Sequence, residues 1–284
     1  MKAHKLFRLT QQLYGVPHLL SRQSFSSITS YLNSRNASSM MLPTNESYEA
    51  EEPDDLDDIN GVGIIEINGP LTNKETGWES MCGGCSYESI LEQAEELIEN
   101  GAKCLVLSLD SGGGEAYGVF LMAKQLRKMC DDAGIHLIGY VDGTCASACY
   151  AIACVCDEVV ANPYAEVGSI GVLICLTDQS KHLEQEGYKP IFISAGSEKI
   201  PYAEDGSFRP EFLEDLQAKV DSLYEAFCEH VSEYTGLSVE DIKATEAKVY
   251  MAEDAMSRGL INKIMSNVDF VDYVASIQRG FADA

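Results

Sequence analysis

Cys104-Leu105-Val106-Leu107-Ser108-Leu109-Asp110-Ser111-Gly112-Gly113-Gly114-Glu115 is the stretch on which the fold turns. Cys104–Leu109 is a short, almost unbroken apolar run, the pattern of a parallel strand covered on both faces. Three consecutive glycines then permit a backbone path closed to other residues and leave N–H groups uncovered. Ala116–Cys130 continues at helical spacing. A strand feeding a glycine turn feeding a helix is one unit of an alternating α/β fold, and the flanking chain repeats the theme.

Upstream, Gly61–Ile67 reads as a strand closed by Asn68-Gly69-Pro70, and Tyr87–Glu99 as a helix through Ile90, Leu91, Ala94 and Leu97. Downstream, Leu137–Val141 reads as a strand, and the run around Ser147 as the start of a helix. Val159–Ala161, Ile170–Cys175 and Pro190–Ser194 read as further strands. Pro210–Thr235 is a long helix with Phe212, Leu216, Val220, Leu223, Phe227 and Val231 on its apolar positions. Ser238–Ala247 and Ala252–Arg258 read as short closing helices. No fixed repeat period is visible.

The 284 residues divide by charge. No acidic residue precedes Glu46, while Lys2, Lys5, Arg8, Arg22 and Arg35 give the first 45 residues +5; the rest carries −30 of the net −25. A body this acidic is not built for nucleic acid, but can attract basic segments. No apolar stretch is long enough for a membrane helix. Residues 1–45 are a basic, Ser-rich arm whose composition also fits a transit peptide, with a short amphipathic helix over Ser24–Arg35. Residues 46–60 form an acidic linker, 61–268 the body and 269–284 a tail. Of the ten cysteines, Cys104, Cys145, Cys149, Cys154, Cys156 and Cys175 sit in apolar runs and read as small buried hydrophobes. Cys82-Gly-Gly-Cys85 has metal-like spacing but no second pair, so no metal and no cofactor is expected; a redox pair is the minor reading.

Four pieces carry chemistry. Ser147 stands in Gly143-Thr144-Cys145-Ala146-Ser147-Ala148-Cys149-Tyr150, after a strand and a turn, with small neighbours that let a substrate backbone approach. A serine hydroxyl needs a base, and Lys199 in Ser194-Ala195-Gly196-Ser197-Glu198-Lys199 can be one if apolar burial lowers its pKa from about 10.4. Ser169, in Val167-Gly168-Ser169-Ile170-Gly171-Val172, can hydrogen-bond and orient that lysine. The N–H groups of Gly113 and Ala148 are the candidate oxyanion hole. A phosphate loop is the rival for the glycines, but the Walker pattern is absent. A Ser-His-Asp triad is the rival for Ser147, but none of His4, His18, His136, His182 and His230 stands in a motif that pairs with it. Lys181 and Lys189 are the competing lysines, and Cys149 the competing nucleophile.

In this order the segments resemble the signal peptide peptidase A family of serine peptidases, within the Clp protease/crotonase fold, and most of all its phage prohead (capsid maturation) branch. The likeness runs from about Gly61 to Ser266 and is carried by Gly63–Leu71, Ser86–Ile90, Asp110–Gly114, Ala146–Tyr150, Asp157–Ala161, Gly168–Val172, Ala195–Lys199 and Ala255–Ile261. It implies a spiral of ββα units with parallel sheets and a C-terminal helical region, assembling into homo-oligomeric rings. It implies Ser147 as nucleophile, Lys199 as general base, Ser169 as the lysine-orienting serine, and Gly113 and Ala148 as oxyanion donors.

Two segments depart from the family pattern: Gly112 stands where the family usually has proline, and Ile200–Phe208 follows a different course. Pro17-His18-Leu19-Leu20 is similar to the leading segment of phage members. The resemblance implies an endopeptidase cutting extended segments of scaffold and major capsid proteins, in the host cytoplasm within the assembling procapsid, with no nucleic acid and no membrane as partner. Self-cleavage near Ala37-Ser38-Ser39, shedding the basic arm, is a further expectation. A soluble signal-peptide-peptidase-like bacterial protease, a crotonase-type acyl-CoA enzyme and a non-catalytic assembly protein are the other readings.

Overall fold

The computed structural model describes residues 16–27, 61–75 and 83–282. The acidic linker, Cys82, the proposed self-cleavage site and most of the arm lie outside them. The chain divides into two compact units, Leu19–Gly171 with Phe227–Ala284, and Met1–His18 with Val172–Ala226.

In chain order the strands are β1 (His18–Leu20), β2 (Val62–Asn68), β3 (Leu71–Thr72), β4 (Cys85–Ser86), β5 (Cys104–Ser111), β6 (Gly113–Glu115), β7 (His136–Ala146), β8 (Glu158–Ala161), β9 (Glu166–Gly168), β10 (Val249–Met251) and β11 (Lys263–Ile264). The helices are α1 (Tyr87–Glu99), α2 (Val119–Ala133), α3 (Ala148–Ala153), α4 (Ser180–Gln185), α5 (Pro210–Thr235), α6 (Val239–Lys243), α7 (Ala252–Ser257) and α8 (Asn267–Ala282).

In the larger unit β2, β5, β7 and β8 pair in parallel, β9 joins the far end of β7, and β11 joins β8. Among the described strands of this sheet only β10 runs antiparallel, against β9. The expected α/β architecture with parallel pairing is thus present. Side chains alternate along β5. Cys104 and Val106 join Ile138, Tyr140 and Val160 in a core closed by Phe270 and Val274 of α8, with the Tyr140 and Phe270 rings stacked at 4.1 Å. Leu105 faces the other way, close to Leu97 of α1, so tightly that Gly63 between them has no room for a side chain. Coverage on both faces is why β5 reads as an unbroken apolar run. The stretch from 269 onward, set apart in the sequence as a tail, therefore supplies core side chains.

A second, four-stranded sheet has the order β1-β6-β3-β4. It is short because each strand is the splayed end of a connection: β6 is the glycine loop itself. Ser86 caps α1 by accepting from the Ser89 N–H at 3.0 Å, and the Ser89 hydroxyl accepts from the Ser86 N–H, a reciprocal cap that fixes the helix start.

Two expected strands do not form. Ile170–Cys175 makes only isolated bridges, at Leu173, which pairs with His18, and at Cys175. Pro190–Ser194 is extended without a ladder, with Ile191 82% and Ile193 95% exposed. Their apolar residues resemble a buried strand, but among the described residues no continuous ladder of hydrogen bonds forms along either segment. In the same smaller unit Phe192, Tyr202, Phe208 and Phe212 stack in sequence at 5.2–5.8 Å.

Ions gather at the start of β7 and β8. Arg127 reaches Asp157 at 3.0 Å and Asp131 at 2.8 Å, and His136 Nδ1 lies 3.3 Å from Asp157. Burial would raise the Asp157 carboxyl, but hydrogen bonds from His136, the Leu137 N–H and Arg127 outweigh it and hold the group below the usual carboxylate range. The hydrogen bond to Asp157 raises His136 against a smaller opposing effect of burial. A depressed carboxylate stabilises above its unfolded value, about 3.9, and loses that contribution as pH falls through the folded one. A raised histidine stabilises below about 6.5 and loses its contribution as pH rises through the folded value. Asp157→Asn is therefore expected to lower the melting temperature most between about pH 4 and 6.5, by the equivalent of about 1–2 kcal/mol after allowance for solvent screening. Thermal melts of both proteins across pH 3–9 check this; a pH-independent difference would refute the linkage.

Candidate active site

The site residues of the larger unit come together at the ends of β5, β6, β7 and β9. β7 and β9 pair with Ala146 opposite Gly168, so Ser147 and Ser169 leave two neighbouring strands side by side. The Ser147 N–H donates to the Gly168 carbonyl at 2.8 Å, and its carbonyl accepts from Ala151 at 3.0 Å as α3 begins. This abrupt passage from strand to helix puts Ser147 at φ 59°, ψ −116°. Ser169 has φ 55°. Left-handed backbone at a non-glycine residue costs on the order of 1–3 kcal/mol and persists where surrounding structure enforces it, characteristically at functional sites. Here strand pairing before Ser147 and a buried helix after it do the enforcing. Tyr150 donates to the Leu260 carbonyl at 2.9 Å, and His230 Nε2 hydrogen-bonds the Ala151 carbonyl at 2.8 Å. Burial lowers the His230 pKa, favouring the neutral ring whose Nε2 donates.

Gly113 lies against the same turn. Its φ is 98°, and a Cβ built there would sit 3.0 Å from the Ala148 nitrogen and 3.0 Å from the Ala146 carbonyl. The two candidate oxyanion donors are thus adjacent. The Gly113 N–H donates to Ser111 Oγ at 3.1 Å, and the Ser111 hydroxyl donates to the Gly69 carbonyl at 2.5 Å. Asp110 braces the loop from the other side, its carboxylate accepting the Thr144 N–H at 2.8 Å. Asp110 and Ser111 were legible only as the lead-in to the glycines, because their partners are 34 and 42 residues away.

A cavity of about 1520 Å³ opens here. Its walls include Gly113, Thr144, Ser169, Glu166 and Lys248. Lys248 was not among the lysines singled out in the sequence. Its carbonyl accepts the Ser169 N–H at 2.8 Å because β10 returns antiparallel along β9. The Ser147 side chain is fully buried, and its hydroxyl has the Gly171 carbonyl at 3.5 Å.

Lys199 belongs to the smaller unit. It ends a 3-10 turn, Ser197–Lys199, that Arg209 holds by donating to the Ser197 carbonyl at 2.8 Å and to the Glu198 carboxylate at 2.7 Å. The lysine is exposed, so the apolar burial expected of a neutral base is not found in the single chain. A short turn beside Glu198 leaves the long side chain in solvent. Lys181 and Lys189 are exposed as well. Cys145 and Cys149 are buried beside the turn, and burial raises the Cys145 thiol well above its ordinary value, which keeps it inert. Cys104 and Cys154 are buried as expected; Cys156 and Cys175 are half-buried. Among the described residues no three His, Cys, Asp or Glu side chains are grouped to hold a metal, and no helix is long and apolar enough to cross a membrane.

With the geometry in place, comparison with known proteins is informative. The sequence profile described as Peptidase family S49 matches residues 129–279. Head-tail preconnector protein GP5 of Enterobacteria phage P21 is 26% identical over 221 residues, 77% of this chain and 43% of that protein. Capsid assembly protease C of Escherichia phage lambda is 26% identical over 227 residues, 80% of this chain and 50% of that protein. Probable protease SohB of Buchnera aphidicola subsp. Acyrthosiphon pisum is 30% identical over 179 residues, 62% and 52% respectively. The chain spans about half the length of the curated relatives it matches. The parallel α/β architecture agrees with the Clp protease/crotonase-like fold that the sequence motifs implied.

Proposed function

Because this chain belongs to Peptidase family S49, we propose that it is a serine endopeptidase with Ser147 as nucleophile and Lys199 as general base. The observation that carries this reading is the left-handed turn at Ser147, pressed against Gly113 and Ala148. Acyl transfer needs a serine hydroxyl and backbone donors at one turn, and the close approach of Gly113 to Ala148 supports that reading.

In the proposed reaction neutral Lys199 takes the Ser147 proton as Oγ bonds to the scissile carbonyl carbon. The Gly113 and Ala148 N–H groups hold the resulting oxyanion, with Gly113 leaving Ser111 to do so. Lys199 then passes the proton to the leaving amine as the C–N bond breaks. Water, deprotonated by the now neutral Lys199, attacks the acyl carbon, and Lys199 returns the proton to Ser147 Oγ as the ester C–O bond breaks. Ser169 orients the lysine. For this the Lys199 ammonium has to lose water on forming the complex, since it is exposed in the single chain.

The phage relatives, named for capsid assembly and head–tail preconnection, support a capsid-maturation substrate: extended segments of scaffold and major capsid proteins, cut inside a procapsid by a ring of this chain. The SohB relative supports the alternative of a soluble signal-peptide-peptidase-like bacterial protease. The test is intact mass spectrometry of wild type, Ser147→Ala and Lys199→Ala, each co-expressed with the neighbouring capsid and scaffold proteins. New cleavage products are expected with wild type alone, together with loss of the arm near residues 37–39. Identical masses in all three would refute the capsid assignment, and thioester turnover surviving both substitutions would favour an acyl-CoA enzyme.

A further inference from the structure

We propose that the segment from Leu19 to Ser27 is a built-in occupant of the substrate groove, which must leave β6 before a polypeptide can reach Ser147. The inference rests on the nucleophile assignment above and concerns its control.

An extended substrate that offers its scissile carbonyl to the Gly113 N–H has to run along β6, the strand that begins at that glycine. That place in the sheet is taken: the order is β1-β6-β3-β4. The Ser21 N–H donates to the Gly112 carbonyl at 2.7 Å. The Leu19 carbonyl is packed onto Gly113, 2.1 Å from where a Cβ would stand. Leu19 is fully buried and Leu20 is 6% exposed. The chain then turns on a local cap, the Ser24 N–H donating to Ser21 Oγ at 3.2 Å and the Ser21 hydroxyl donating to Ser24 Oγ at 3.0 Å. Residues 22–27 follow as a helical turn, and Arg22, Ser24 and Ser27 line the cavity that Gly113 and Ser169 also line.

Gly112 links these contacts to the sequence. A Cβ there would lie 1.8 Å from Ser24 Oγ and 3.0 Å from Ser21 Oγ. Any side chain at 112 would fill the space the segment uses, so glycine at 112 and serine at 21 and 24 are complementary. Charge favours the docking, since the arm carries no acidic residue and the body carries −30. With the nucleophile fully buried, the described form is the closed one, and reactivity is set by the fraction of molecules in which the segment has lifted.

The test compares the full chain with full-length Gly112→Pro and with a chain lacking residues 1–27. Two rates are followed, labelling of Ser147 by a fluorophosphonate and hydrolysis of casein, with hydrogen exchange reporting the Ser21 amide. If the open form is about 1–10% populated, releasing the segment raises both rates roughly 10- to 100-fold. A synthetic peptide of residues 16–27 then slows the truncated chain again. Should the truncated chain fail to fold, Gly112→Pro carries the test alone. A protein whose Ser21 amide exchanges freely while Ser147 reacts no faster than in wild type overturns the proposal. So does a wild-type chain that labels completely while that amide stays protected. Failure of every form to label or cut casein, like a Ser147→Ala control, refutes the peptidase reading itself and the plug with it.

Discussion

Ser147→Ala and Lys199→Ala are each expected to lower kcat on cleaved capsid or scaffold protein by on the order of 10⁴-fold or more, because members of a nucleophile–base unit fail together. The double variant is expected to be no worse than either single one. Stability separates this from damage to the fold. Ser147 sits at φ 59°, a conformation alanine tolerates no better than serine, so Ser147→Ala keeps the strain. Ser147→Gly relieves it and is expected to raise stability by about 1 kcal/mol while abolishing turnover. Paired measurements of melting temperature and single-turnover rate check both halves. An inactive Ser147→Gly that is more stable than wild type marks a residue strained for its chemistry; a less stable one would remove that argument. Lys248→Ala is the comparison for the base, since Lys248 lines the cavity. A loss matching that of Lys199→Ala would reopen the assignment of the proton acceptor.

Gly113→Ala is expected to damage both stability and turnover. The backbone there has φ 98°, which disfavours any side chain, and the added methyl meets the Leu19 carbonyl at 2.1 Å and the Ala146 carbonyl and Ala148 nitrogen at 3.0 Å. The last two cannot yield even where the Leu19 segment has lifted, since both belong to the turn that presents Ser147. About 2–3 kcal/mol of stability is expected to be lost. Whatever folds is expected to lose roughly 10²–10³-fold in kcat with a smaller change in KM, because the damage falls on the proposed oxyanion donor, whose bond matters most in the transition state. Denaturant melts and steady-state kinetics on one substrate check this. A well-folded variant with full kcat would show that the Gly113 N–H does not hold the oxyanion.

Much of this protein was legible in local sequence. Continuous apolar runs at Cys104–Leu109 and Leu137–Val141 identify strands covered on both faces, and 3.6-residue spacing identifies Tyr87–Glu99 and Pro210–Thr235 with the bounds the structure has. Those signals are local because periodicity and capping act within a few residues. The same logic misplaced Ile170–Cys175 and Pro190–Ser194. A strand is defined by its neighbour, and sequence alone does not say whether one is there.

Motif order by itself determined the family and the candidate residues. The tertiary structure decided what those residues do to one another. Register between β7 and β9 sets Ser147 beside Ser169, and the turn it forces gives both serines left-handed backbone that no residue pattern announces. A contact between residues far apart in the chain puts Ser24 where a side chain at 112 would stand. Chain folding also decided that Lys199 emerges on an exposed turn. Spacing along the chain encodes periodicity and chemistry, whereas strain, burial and occupancy of a groove arise only when distant segments compete for the same volume.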